Sequence, residues 1–169
     1  MNTKRSDDLI ARFGERQFTA LRKIQEYDRL FAASPKKLFP LLCPSREADW
    51  IPGWSCDLVY TTTGYAQPDC IFTTGDDNPF GAGTWIIYDH EPNERLELVK
   101  TSGDLVLQMR IAVSPASESG ARGRWTLTMT GLTPTGNTVV EALPDQDPRI
   151  IALLDCLDHY LNTGEMARP

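Results

Sequence analysis

The chain has 169 residues, enough for one domain that buries roughly 70% of its unfolded surface without a metal or disulfide staple. Its formal charge is −6, from 23 acidic and 17 basic residues, which argues against a general nucleic-acid or anionic-membrane binder. At 41% hydrophobic and 24% charged, the composition is that of a soluble globular protein.

The N-terminal stretch Met-Asn-Thr-Lys-Arg-Ser-Asp-Asp leads into no apolar segment of the signal-peptide kind. No run approaches the ~18 apolar residues of a membrane span, so no membrane insertion is expected. Residues 6–20 have a helical pattern: Ser6 can cap, Asp7 and Asp8 suit the first turn, and Leu9, Ile10 and Phe13 share a face. Gly14 weakens it, and residues 1–22 read as an N-terminal extension. Residues 23–32 read as a first strand.

Ser34-Pro35 is a helix start, a capping hydroxyl followed by proline at the first helical position. Leu38, Leu41 and Leu42 follow at helical spacing, and Pro44 is expected to stop that helix. Ser45 is expected to cap a second short helix through Trp50, ended by Pro52-Gly53.

After Trp54 the character changes to threonines, aromatics and β-branched residues broken by turn clusters. Strands are predicted over 55–63, 69–74, 83–90, 94–101, 104–114 and 122–132. In 104–114, Leu105, Leu107, Met109, Ile111 and Val113 alternate with Val106, Gln108, Arg110, Ala112 and Ser114. In 122–132, Trp125, Leu127 and Met129 oppose Arg124, Thr126 and Thr128. An antiparallel sheet with one buried and one wet face is implied. Asp147-Pro148 opens a C-terminal helix with Ile150, Leu153, Leu154, Leu157 and Leu161 on one face, closed by Asn162-Thr163-Gly164. That helix needs a surface to lie on, and the sheet is the only candidate. The fold class is therefore α+β, one domain over 23–164 with a tail at 165–169. About seven curved antiparallel strands wrap the long C-terminal helix, with two short helices after the first strand. This is the helix-grip arrangement.

Phe31-Ala-Ala-Ser-Pro-Lys-Lys-Leu-Phe39 is similar to the strand-to-helix entry of the START-related (SRPBCC) superfamily. Cys43-Pro-Ser-Arg-Glu-Ala-Asp-Trp-Ile-Pro-Gly-Trp54 and His159-Tyr-Leu-Asn-Thr-Gly164 resemble a bacterial polyketide cyclase-like subgroup. The resemblance spans roughly residues 23–164 and implies a hydrophobic cavity between sheet and C-terminal helix. It does not imply one activity.

Arg46, Glu47 and Asp49 read two ways: as a polar set at a pocket mouth, or as local ties bracing a short helix. Trp50 and Trp54 read as an aromatic lid or as core, with Trp54 the better pocket candidate because it begins a strand. The Tyr60 hydroxyl is placed to orient a ligand, with Tyr65 and Tyr88 as lesser candidates. Arg110 is expected on the outer face. His90 reads as an exposed turn histidine or a general base, and His159 as a cation suited to a helix end. Gly81-Ala-Gly-Thr84 precedes a strand and is no phosphate loop. Cys43, Cys56, Cys70 and Cys156 have no metal-ligand spacing; free thiols in the cytoplasm are expected, with no metal and no cofactor.

The leading expectation is binding, and by extension transport, of a small apolar molecule by a monomer or homodimer. Its lining is Trp54, Tyr60, Trp85, Leu107, Met109, Trp125, Leu153 and Leu157. One alternative is a cyclase, dehydratase or hydrolase acting on a polyketide-like or aromatic substrate through Asp49, Glu47, Arg46 and Tyr60. The other is a protein-interaction module with a collapsed cavity.

Overall fold

The computed structural model describes residues 18–116 and 118–168. Strand β1 (Arg22–Phe31) leads into helix α1 (Pro35–Leu38), a 3-10 turn (Phe39–Leu42) and helix α2 (Pro44–Glu47). Strands β2 (Asp57–Tyr60), β3 (Ile71–Thr74), β4 (Gly83–Glu91), β5 (Arg95–Ser102), β6 (Leu105–Pro115) and β7 (Ala121–Gly131) follow. Helices α3 (Pro134–Ala142) and α4 (Pro148–Thr163) close the chain. All seven strands form one antiparallel sheet in the order β1-β7-β6-β5-β4-β3-β2.

The alternation read from the sequence sets the inner face. Leu107 lies opposite Met129, Met109 opposite Leu127 and Ile111 opposite Trp125, so their side chains form continuous rows. Tyr27 of β1 extends the last row beside Trp125. Helix α4 lies on this face and buries Leu154 and Leu157. Its ends follow the predicted signals: the Asp147 carboxylate accepts from the Arg149 N–H at 2.9 Å, and Gly164 takes the left-handed conformation with φ 73°.

Four expectations are corrected. Pro44 opens α2 rather than only stopping α1, because a first-position proline gives up no helical hydrogen bond; Cys43, not Ser45, is the residue before it. The Ser34 hydroxyl does not cap α1; its backbone carbonyl instead accepts from Lys37 and Leu38. Strand β2 has four residues where 55–63 was expected. Beyond Tyr60, the hydroxyls of Thr61, Thr62 and Thr63 all donate to the Gln67 side-chain oxygen, at 3.3, 3.1 and 2.8 Å, which folds the segment into a loop. Helix α3 was not expected; its Gly136, Val139 and Val140 have weak helix propensity. It starts, like α4, on a capping side chain followed by proline: the Thr133 hydroxyl accepts from the Gly136 N–H at 3.1 Å, and Pro134 follows. The helix expected over 6–20 falls almost wholly outside the described residues, and 18–20 are not helical.

Candidate functional site

Between the inner face of the sheet and α4 lies a two-part cavity. The outer part is a cleft of about 490 Å³ under the first turns of α4 and the loop around Phe80, with Lys100, Leu107 and Met129 on its sheet side. The inner part is a narrow pocket of about 50 Å³ walled by Trp50, Trp54, Phe72, Trp85, Trp125 and Glu47. Phe80, Leu127, Ile150 and Leu153 line both parts, so the cleft and the pocket adjoin. The outer volume lies within the range of small-molecule sites, roughly 300–1,000 Å³, while the inner one admits only the end of a ligand.

The aromatic wall is rigid for identifiable reasons. Phe72 and Trp85 stack at 5.6 Å with planes 6° apart, and Phe80 meets Trp85 edge-on at 5.8 Å. Trp54 sits edge-on to Phe80 at 6.1 Å. The indole N–H groups are engaged by protein: Trp50 donates to the Leu41 carbonyl and Trp54 to the Pro44 carbonyl, each at 2.8 Å, and Trp85 to the Thr74 hydroxyl at 3.1 Å. The rings therefore offer the cavity apolar surface, with no spare donor from these three indoles.

The charged triplet at the end of α2 and in the turn after it divides. Arg46, in the last turn of α2, and Asp49, in the turn that follows, pair at 2.6 Å with their side chains 41% and 37% exposed. This is the local tie. Glu47 is one residue on from Arg46, about 100° around the helix, and points to the cavity. The residue is half-buried and borders the apolar inner pocket; its carboxyl has no hydrogen-bond or ion-pair partner, and its oxygens keep some accessible surface. Loss of hydration pushes it from 4.5 up to about 8, so it holds its proton at neutral pH. Cys56, behind the same corner, has its thiol raised by burial and then by Glu47.

Lys100 is buried at 7% exposure, and desolvation lowers its pKa. Its ammonium donates to the carbonyls of Phe80 and, at 3.1 Å, Gly81, and lies 5.4 Å from the centre of the Trp85 ring. It thereby pins the loop that forms one lip of the cleft.

Of the residues expected to line a site, Trp54, Trp85, Met109, Trp125 and Leu153 border the inner pocket and Leu107 borders the cleft. Tyr60 does not: it is 52% exposed on β2, an edge strand whose residues are all exposed. Leu157 is fully buried but belongs to the packed core beneath and borders neither part. His90 is not an exposed turn residue; it lies within β4, half-buried, its ring 5.4 Å from that of Phe39, and burial lowers its pKa. Arg110 is on the outer face, 3.3 Å from Glu97. Lys100 and Phe80 were not singled out; for Lys100 the signal was present, since Leu96, Leu98 and Lys100 alternate inward along β5. Among the described residues no group of three or more His, Cys, Asp or Glu is placed to hold a metal ion, and no helix is long and apolar enough to cross a membrane.

No protein-family model matches the sequence, and neither does any curated protein. Solved structures do match. Norcoclaurine synthase from Thalictrum flavum superposes with a TM-score of 0.65 at 13% identity, over 89% of this chain and 95% of that one. Ara h 8.0201 gives 0.62 at 13% identity, over 85% and 99%. DynU16, a protein of the dynemicin biosynthetic locus, gives 0.57 at 15% identity, over 86% of this chain and 49% of that one. The chain shares their fold. It is the helix-grip fold, in keeping with the START-related resemblance of the sequence. At these identities the likeness is one of fold, and the helix-grip cavity must be read from its own residues.

Proposed function

We propose that the chain binds, and in doing so carries, a small and largely apolar molecule in the helix-grip cavity. The observation that carries this reading is the open cleft of about 490 Å³ adjoining an aromatic pocket. A ligand with one aromatic ring buries about 150–250 Å² of apolar surface, worth about 4–6 kcal/mol before ordering costs. The cleft also favours this reading over an interaction module with a closed interior. Four free thiols suit a cytoplasmic protein, as a monomer or a homodimer.

The test has two arms. Native mass spectrometry of protein from its own host should show a bound small molecule. Titration with 1-anilinonaphthalene-8-sulfonate should quench tryptophan emission, and Leu153→Trp, which fills the junction of cleft and pocket, should weaken that binding about tenfold or more while the protein stays folded. Empty protein and a probe that ignores Leu153→Trp would refute the proposal.

A second reading is supported by Glu47 alone. A carboxyl that keeps its proton to about pH 8 is suited to general acid chemistry near neutrality. The reaction class is then cyclisation, dehydration or hydrolysis of a polyketide-like or aromatic substrate. One structural neighbour is named as a synthase and another comes from a biosynthetic locus. Tyr60, Arg46 and Asp49 face solvent and leave Glu47 as the acid. Turnover that survives Glu47→Gln would exclude this second reading.

A further inference from the structure

Glu47 is the one titratable side chain bordering the inner pocket among the described residues. Apolar binding alone has no use for it. A carboxyl that borders an apolar pocket without a partner is costly to hold, and no protein group donates a hydrogen bond to it. What fits such a group is a ligand that brings its own donors and charge.

The walls narrow the choice. Indole and phenyl rings of Trp50, Trp54, Phe72 and Trp85 surround the pocket, and aromatic faces attract cations. The wall already receives one: the Lys100 ammonium sits 5.4 Å from the Trp85 ring centre at the cleft side. A volume of about 50 Å³ suits an end group, with the body of the ligand left to the cleft of about 490 Å³.

We infer that the cavity takes a ligand ending in a basic amine, whose ammonium group pairs with the Glu47 carboxylate while its apolar body lies in the outer cleft. This rests on the ligand-binding reading of the cavity. On binding, Glu47 gives up its proton to solvent and the amine keeps its own. The other ionisable groups near Glu47 are few. Cys56 lies behind it, Arg46 of α2 and Asp49 of the turn after it pair with each other with Tyr160 of α4 beside Arg46, and Lys100 of β5 stands at the cleft. The lining residues of β3, β4, β6, β7 and α4 bring no charge to the inner pocket.

The experiment is isothermal titration calorimetry with 2-phenylethylamine and its uncharged isostere 2-phenylethanol, in buffers of different ionisation enthalpy. At pH 7 the amine should bind about tenfold or more tightly than the alcohol, and release close to one proton per complex. Its affinity should rise about tenfold per unit from pH 6 to 8, then level off below the amine's own pKa of about 10. Glu47→Gln should abolish both the preference for the amine and the proton release. The proton count on the wild-type protein stands even if the variant fails to fold. Equal binding of the two compounds with no proton release overturns the inference. So does an affinity that falls above pH 8, the mark of a neutral acceptor held by the protonated carboxyl. If 1-anilinonaphthalene-8-sulfonate still binds in either case, the cavity reading survives; if nothing binds, both fall.

Discussion

Replacing Glu47 by glutamine should stabilise the protein, and the gain should depend on pH in a defined way. The carboxyl titrates at 4.5 in the unfolded chain and at about 8 in the folded one. Above 4.5 the unfolded chain sheds its proton while the folded chain keeps it. Folding therefore loses stability as pH rises through this window, by about 1.4 kcal/mol per pH unit. The loss is roughly 3 kcal/mol at pH 7 and roughly 5 kcal/mol above pH 8. Glutamine has nearly the same shape and never ionises, so the Glu47→Gln protein escapes that loss. Urea unfolding of both proteins from pH 4 to 9 should give curves that meet near pH 4 and separate steadily above it. For a chain of this size the difference at pH 7 corresponds to a melting temperature about 6–12 °C higher for the variant. A gap that is constant across pH, or a less stable variant at pH 8, would show that the carboxyl is hydrated or paired in solution, and the account of the pocket would fail.

Gly136→Ala should cost about 1–3 kcal/mol by thermal melting, because a Cβ there collides with the Asp104 backbone carbonyl, which cannot move aside; a neutral result would contradict the packing of α3 on the β5–β6 turn. Arg46→Ala removes an exposed ion pair and should change the urea midpoint by less than about 1 kcal/mol with ligand affinity unaltered. Loss of binding would move the site to the outside of α2. Lys100→Met strips the Phe80 and Gly81 carbonyls of their donor and should cost about 1–3 kcal/mol, with faster amide exchange in residues 78–82 as the local readout. Unchanged exchange there would remove Lys100 as the pin of the cleft lip.

Much of this molecule is legible in its residues because the signals are local. Alternation along β6 and β7 assigned Leu107, Met109, Ile111, Trp125 and Leu127 to one face, since successive side chains in a strand point opposite ways whatever the strand pairs with. Cap-proline pairs at Ser34-Pro35 and Asp147-Pro148 located two helix starts, because proline needs a position that makes no helical donor bond. The same signal stands at Thr133-Pro134, followed by a glycine and two valines whose weak propensity is outweighed by packing of α3 against β7 and β1. Which strand is an edge is not a local property. Tyr60 has the residues of a cavity strand around it, yet β2 is the end of the sheet and its side chains meet water. Leu157 has the right face of α4 but lies where helix and sheet are in full contact. The triplet at 46–49 was visible as charge from the start, but a sequence does not say which side of one helical turn faces in. Tertiary packing decided that Arg46 and Asp49 pair outside and that Glu47 stands alone among the tryptophans, because desolvation depends on what surrounds a group in space and not on its neighbours along the chain.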